Sequence, residues 1–327
     1  MHIEPIDLGR PGDSIEGLHE AFTAATAASG DDRGPLPSFA RFSHLIRSGG
    51  AGAHTEPVVV REDGKVAGGY ALELYEEDNQ HVGWIFAFAV RPELQRRGIG
   101  TALFEHAVDR LRAEGRTLLL TETPAGGVGA RFAASKGMAV TLTEARSTLD
   151  LRTADWDALR GMRPEAPGYH LEQWIGPARQ ELLPDLALVM NGMNDAPHDP
   201  DTEEEVHTVE RVREREQALA LTGRTCYTTV ARRTSDGAPA GYTRILLDEA
   251  RDSGWGHQAD TTVVREHRGH RLGLLMKIAN LLWLHEQEPH IDRIITWNAT
   301  SNAHMLAINE AMGFTLFDQW NQWRLTL

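Results

Sequence analysis

Trp84-Ile85-Phe86-Ala87-Phe88-Ala89-Val90, then Arg91-Pro92-Glu93-Leu94, then Gln95-Arg96-Arg97-Gly98-Ile99-Gly100-Thr101, is the stretch on which the fold turns. An apolar strand runs through a proline turn into a glycine-containing loop, and the loop opens directly into an amphipathic helix. Gly98 and Gly100 let the backbone approach an anion, while unpaired amides and the positive end of the helix dipole point at one place. Such a loop cradles a pyrophosphate. A nucleotide-triphosphate loop needs Gly-Lys-Ser/Thr at its end, and a dinucleotide fingerprint needs three glycines with an acidic residue about twenty positions on. Neither is present here.

The order strand, Val90-x-Pro92-Glu93, Gln95-x-x-Gly98-x-Gly100, helix resembles the acetyl-coenzyme A loop of the GNAT superfamily of N-acetyltransferases. The resemblance implies acetyl-CoA as cofactor, bound by Phe88, Ala89, Val90, Gln95, Arg96, Arg97, Gly98, Ile99, Gly100 and Thr101. The frame then returns. Residues Thr261 to Gly273 align with Phe88 to Gly100 at a constant shift of about 173 positions, as a long internal repeat would. The second set of coenzyme contacts is thus Thr262, Val263, Arg268, Gly269, Arg271 and Gly273. Arg268 takes the place of Gln95, and Arg271 that of Gly98, a departure from the family pattern in which a guanidinium itself reaches a phosphate. Phe132-Ala133-Ala134-Ser135-Lys136-Gly137-Met138 and Ile308-Asn309-Glu310-Ala311-Met312-Gly313-Phe314 both resemble the helix-to-strand corner that closes a GNAT domain.

At 327 residues the chain is long enough for two domains with their own cores. The formal charge of −14 disfavours a nucleic-acid partner and favours a small cationic molecule, although a plain soluble surface is also acidic. One cysteine excludes an internal disulfide and a multi-cysteine metal site. No apolar run approaches a membrane span and no signal peptide opens the chain, so the expected location is cytoplasmic with no membrane partner. Histidines 198, 257, 267, 270 and 304 lack metal-ligand spacing on a helix, so no metal is expected.

Strands alternating with helices predict an α/β fold, a mixed and partly parallel sheet, built as two tandem GNAT-like acyltransferase domains. The first domain is placed at residues 1–152, a turn-rich linker at 153–168 and the second domain at 169–327. Charged turns at Arg61-Glu62-Asp63-Gly64-Lys65 and around Thr234-Ser235-Asp236-Gly237 read as hairpins. Helices are expected over Pro177–Met190 and Glu203–Ala220, the Glu203-Glu204-Glu205 run being a solvated helix face with i,i+4 pairing.

Acetyl transfer to an amine needs a donor for the developing oxyanion, a base for the ammonium proton and an acid for the departing thiolate. The resemblance assigns the first to a backbone N–H at the splayed end of the strand, near Phe88–Val90 or Thr261–Val263. Many relatives keep a glutamate eleven residues before the loop glutamine. That position is Trp84 in the first copy and His257 in the second, with Gln258 and Asp260 beside it. His257 and Asp260 are therefore the candidate bases, against the alternative that His257 only caps a strand. The tyrosine acid of many relatives is Ala133 in one copy and Asn309 in the other. Asn309 is expected to hold a water or the coenzyme sulfur, and Asn302 to contact the pantetheine arm or merely cap a helix. Trp297, with Asp195 and Asp199 in a covering loop, is expected to meet a small-molecule amine, a solvated turn being the alternative for the loop. Which half transfers the acyl group stays open, as does a non-catalytic acyl-CoA sensor on the same fold.

Overall fold

The computed structural model describes residues 2–30, 34–50, 52–221, 223–248 and 253–327. Contacts divide the chain into two units. Unit 1 holds Met1–Thr143, Asp199–Glu203 and Gln319–Leu327; unit 2 holds Glu144–His198 and Glu204–Asp318.

In unit 1, strand β1 (Ile3–Pro5) precedes helices α1 (Ser14–Ser29) and α2 (Phe39–Ser48). Strands β2 (Ala53–Glu62), β3 (Lys65–Tyr75) and β4 (Val82–Val90) follow, then helix α3 (Ile99–Ala113), strand β5 (Leu118–Pro124), helix α4 (Gly127–Ser135) and the start of strand β6 (Ala139–Asp150). The β2–β3 hairpin turns on Asp63 and Gly64, at φ 50° and 79°. Two consecutive left-handed residues are what a tight hairpin turn needs, and Asp-Gly supplies them at low cost. Helix α3 lays Leu103, Phe104, Ala107, Val108 and Leu111 onto the sheet, as its periodicity predicts.

Unit 2 repeats the plan with helix α5 (Trp156–Met162), strand β7 (Tyr169–Ile175), helices α6 (Leu183–Met190) and α7 (Val209–Leu221), and strands β8 (Arg224–Arg233), β9 (Pro239–Asp248) and β10 (Trp255–Val263). Helix α8 (Leu272–Gln287), strand β11 (Arg293–Ala299), helix α9 (Ala303–Ala311) and strand β12 (Thr315–Thr326) complete it. Helix α5 lies inside the stretch expected as a linker; Asp155 caps it by accepting from Ala158 N, and Leu159 is buried. Each unit borrows a strand from the other half of the sequence. The end of β12 pairs antiparallel with β5, Trp320↔Pro124 through Thr326↔Leu118. Residues 144–150 of β6 pair antiparallel with β11, Glu144↔Ala299 through Asp150↔Arg293.

The helix expected from Glu203 begins only at Val209, and the reason lies in two side-chain amides. Asn191 Oδ1 accepts from His207 N at 2.9 Å, and Asn194 Oδ1 accepts from Glu205 N at 3.1 Å while its Nδ2 donates to Glu205 O at 2.9 Å. These bonds hold the backbone of residues 205–207 outside the helix. Glu203 and Glu205 consequently do not form a helix face: Glu203 accepts from Asn79 N at 2.9 Å and Glu205 pairs with Arg215 at 2.8 Å. Among the described residues no helix is long and apolar enough to cross a membrane.

A buried ion pair ties α7 to the sheet of unit 2. Arg244 Nη2 lies 2.6 Å from Glu216 Oε1, their side chains only 7% and 4% exposed, and Glu216 Oε2 accepts from Ala178 N at 2.6 Å. Removing one partner strands the other charge without water. Glu216→Ala is therefore expected to lower unfolding free energy by about 3–5 kcal/mol, read from the midpoint of a urea titration at unchanged slope. A loss under about 1 kcal/mol would show that water reaches Arg244.

Candidate active sites

Both units open their sheet at the same internal place. In unit 1, β4 and β5 pair in parallel from Val82↔Leu118 to Ile85↔Thr121, although the strands continue to Val90 and Pro124. In unit 2, β10 and β11 pair from Trp255↔Arg293 to Gln258↔Thr296 and then diverge. A bulge explains each divergence. The register of β4 against β3 shifts between Gly69 and Ala71, where Ala87 takes φ 52°; that of β10 shifts between Gln258 and Thr261, leaving Ala259 and Asp260 as the irregular residues. A bulge adds twist and turns the strand away from its neighbour.

The splay leaves backbone groups facing the opening. Arg91 N donates to Ala67 O at 2.9 Å, so by antiparallel alternation the N–H of Val90 points the other way, where β5 has left. The Val90 carbonyl also faces away from β3 and accepts from Gln95 Nε2 at 3.1 Å. Unit 2 matches this with Val264 N on Ala240 O at 2.9 Å and Arg268 Nε on Val263 O at 3.1 Å. Val90 and Val263 thus each present an N–H to the mouth of the opening.

The loops that follow have one shape. Arg96 and Gly98 sit at φ 64° and 87°, and Gly269 and Arg271 at φ 86° and 57°. The same two positions are left-handed in both, with glycine and arginine exchanged, so Arg271 preserves the turn that Gly98 makes. A non-glycine residue held left-handed carries strain, which is kept where the surroundings require that conformation. Among the described residues no acceptor takes the N–H groups of residues 96–101 or 269–274. Six amides at the start of a helix, with no carbonyl in front of them, suit a pyrophosphate. The residues present therefore fit the phosphate end of a coenzyme A in both units.

The two openings differ in chemistry. Unit 1 has Trp84 and Ala87 where unit 2 has His257 and Asp260. His257 lies in the paired part of β10, between Leu246 and Ile295, one residue before the splay. Asp260 stands at the bulge and accepts from Tyr242 Oη at 3.0 Å. Burial first, and the Asp260 charge second, push the fully buried Tyr242 phenol well above its usual pKa, so it remains a donor. His207, which lies inside the helix expected from Glu203, feels the same carboxylate. It is 6% exposed, and its Nδ1 has no hydrogen-bond partner among the described residues. Its pKa is held below the ordinary histidine value by burial, then by Arg215, with Glu205 and Asp260 opposing. No local signal marks it, because its position depends on the grip of Asn191 on its backbone.

The remaining expected residues are placed as follows. Asn309 is 1% exposed; its Nδ2 donates to Asn298 Oδ1 at 2.7 Å, and its own Oδ1 has no partner among the described residues. Asn302 caps α9, accepting from Met305 N at 3.2 Å. The Trp297 ring is covered by the Arg146 guanidinium 5.0 Å from its centroid. The 3₁₀ turn Asn191–Asp195 lies on β10 beyond the splay: a Cβ on Gly192 would stand 2.8 Å from Thr262 Oγ1. Asp195 pairs with Arg265 at 2.7 Å and also with Arg268, linking this covering turn to the second loop. Asp199 belongs to unit 1, is 1% exposed and accepts from Asp201 N at 2.9 Å and Arg324 Nη1 at 3.3 Å.

Residues 19–134 match the Acetyltransferase (GNAT) family. A tandem GNAT protein from the clavulanic acid biosynthesis pathway, solved without acetyl-CoA, is similar over 99% of this chain and 98% of its own. Its identity is 28% and its TM-score 0.82. A GCN5-related N-acetyltransferase from Sphaerobacter thermophilus shares the fold at TM-score 0.71 and 14% identity, over 99% of this chain and 95% of its own. No curated protein matches. Residues 19–134 are therefore similar to a GNAT acetyltransferase domain, and the chain as a whole has the fold of a tandem GNAT protein.

Proposed function

We propose that the protein is an acetyl-CoA-dependent N-acetyltransferase acting on the amine of a small, cationic molecule in the cytoplasm. The observation that carries this reading is the second opening, where a splayed strand carries two proton acceptors, His257 and Asp260, three residues apart and leads into an unpaired loop. In this reading residues 1–152 and 169–327 are the two domains. The loops 95–101 and 268–273 hold the coenzyme's phosphates, Asn302 meets its pantetheine arm, and acetyl-CoA supplies an acyl group activated as a thioester. The N–H of Val263, aimed into the opening, supports negative charge on a carbonyl oxygen there. His257, or Asp260 with Tyr242 fixing its orientation, takes the proton of an ammonium that would otherwise be a poor nucleophile. Asn309 offers a carbonyl oxygen to a donor at the opposite wall. Trp297 and Asp195 are the acceptor-side residues. The first domain, with Trp84 and Ala87 at the same positions, suits binding of coenzyme without turnover.

The absence of tyrosine at both Ala133 and Asn309 favours a second reading, an acyl-CoA sensor. An acceptor screen that follows release of coenzyme thiol separates the two. Consumption of acetyl-CoA with polyamines or aminated sugars, and not with neutral or anionic acceptors, is expected; binding with no turnover across the screen would favour the sensor. With a competent acceptor, Asp195→Asn is expected to raise KM more than it lowers kcat, as loss of uniform binding does. A fall confined to kcat would remove Asp195 from acceptor binding.

A further inference from the structure

The interior beneath α8 has been rebuilt as polar. In unit 1, Val58, Tyr70, Ile85, Phe104, Ala107 and Ala133 are part of one apolar core. The corresponding residues of unit 2 are Thr229, Thr243, Gln258, Lys277, Asn280 and Asn309, all buried. Four of these satisfy one another or the backbone. Thr229 Oγ1 donates to Asn280 Oδ1 at 2.9 Å, Asn280 Nδ2 donates to Tyr227 O at 3.0 Å, and Gln258 Nε2 donates to Thr243 Oγ1 at 3.0 Å. The other two do not. Among the described residues Asn309 Oδ1 has no partner, and Lys277, 1% exposed, has only the Phe314 ring, 5.8 Å from Nζ.

A buried ammonium without a counter-charge is costly, so its place needs a reason. Its surroundings supply one. Lys277 is four residues after Gly273 and on the same face of α8, and long helical side chains lean back over the preceding turn. That turn sits on the second opening: a Cβ on Gly273 would stand 3.9 Å from Val263 Cγ2 and from Ile308 Cδ1. On the far side, Nζ faces the ring of Phe314, and Phe314 N donates to Asn309 O at 3.0 Å, so the residue the lysine faces is bonded to the one at the vacant tyrosine position. We infer that Lys277 Nζ gives the proton to the coenzyme thiolate in unit 2, in place of the missing tyrosine.

The inference rests on the proposed acetyl transfer. As the C–S bond breaks, its electron pair goes to sulfur; a proton passes from Lys277 Nζ to that sulfur, leaving a neutral amine that solvent recharges. Burial alone lowers the lysine pKa to about 7, which makes the ammonium acidic enough to act near neutrality. Helix α8 packs against β8, β9, β10 and α5, whose titratable groups are Arg224, Cys226, Tyr227, Arg232 and Arg233, then Tyr242, Arg244 and Asp248, then His257 and Asp260, then Asp157 and Arg160. Among the described residues no ion pair joins any of them to Lys277.

The test reads bound coenzyme A directly, without turnover. Ultraviolet absorption of the thiolate is followed against pH with the protein in excess, in a Gly100→Glu background that silences the first loop. The bound thiol is expected to ionise about 1 pH unit or more lower in the presence of Lys277 than in Lys277→Met, as a cation a few ångströms away dictates. Lys277→Arg keeps the charge and the shift, yet loses turnover at least about tenfold, because a guanidinium retains its proton. Should Lys277→Met not fold, the comparison of Lys277 with Lys277→Arg still decides through that split. Coincident thiol titrations in the Lys277 protein and Lys277→Met, or full turnover in Lys277→Arg, would overturn the inference and leave the proposed function standing. Coenzyme that fails to bind the second loop at all would overturn both.

Discussion

Gly100→Glu is expected to remove one of two coenzyme A binding events in calorimetry, whereas Gly100→Ala leaves both. A Cβ at Gly100 would lie 3.6 Å from Phe132 Cε2 and 3.8 Å from Val90 Cγ2, which is ordinary packing, so the extra methyl fits. The glutamate differs by its charge. Its carboxylate would occupy the space in front of the unpaired amides of residues 96–101, accept from them in place of the ligand and repel the pyrophosphate. An uncompensated charge at such a place costs several kcal/mol, and ~3 kcal/mol is already roughly a hundredfold in affinity. Gly273→Glu applies the same logic to the second loop, where a Cβ would stand 3.9 Å from Ile308 Cδ1 and Val263 Cγ2. Stoichiometry then tells the loops apart. An unchanged titration in Gly100→Glu would rule out the first loop as a coenzyme site, and an unchanged titration in Gly273→Glu the second.

Much of this geometry was legible in the sequence because it is written in local terms. Asp63-Gly64 encodes a hairpin by backbone preference alone, and the apolar spacing of α3 encodes the face it buries. The repeat then carries the first loop onto the second, including residues that share no side chain. What stayed hidden depends on partners far away in the chain. Strands β6 and β12 both read as closing strands, but alternation of side chains says nothing about which edge a strand will join, so the exchange with β11 and β5 left no trace. Residues 203–208 have the composition of a helix start; two asparagines on the preceding turn override it. Arg271 looked like a lost glycine, yet the exchange with Gly269 keeps both left-handed positions filled. Lys277 sits in an otherwise apolar helix at a spacing that predicts burial, and only the matching changes on β9, β10 and α9 give that burial a meaning.

His257→Ala is expected to lower turnover by ~10²–10⁴ at neutral pH if the histidine is the proton acceptor of the second site. The physical reason is a mismatch of acidities. An alkyl ammonium has a pKa of ~10.4, so near neutrality almost all of the acceptor arrives unable to attack, and a group with a lower pKa has to receive its proton. His257 and Asp260 both meet that condition, on opposite sides of the point where β10 leaves β11. They differ in what they predict. A base is lost when it is protonated, and an imidazole is lost at a higher pH than a carboxylate, so the position of the acidic limb of the rate profile tells the two apart. Raising the pH supplies free amine without help from the protein. The defect of His257→Ala should therefore shrink toward roughly pH 9 to 10, approaching the acceptor's own pKa. The measurement is turnover against pH for the unaltered chain, His257→Ala and Asp260→Asn with one competent acceptor. Coincident profiles for the first two, with the acidic limb displaced only in Asp260→Asn, would move the base from the paired part of the strand to its bulge. There Tyr242 already holds one carboxylate oxygen of Asp260.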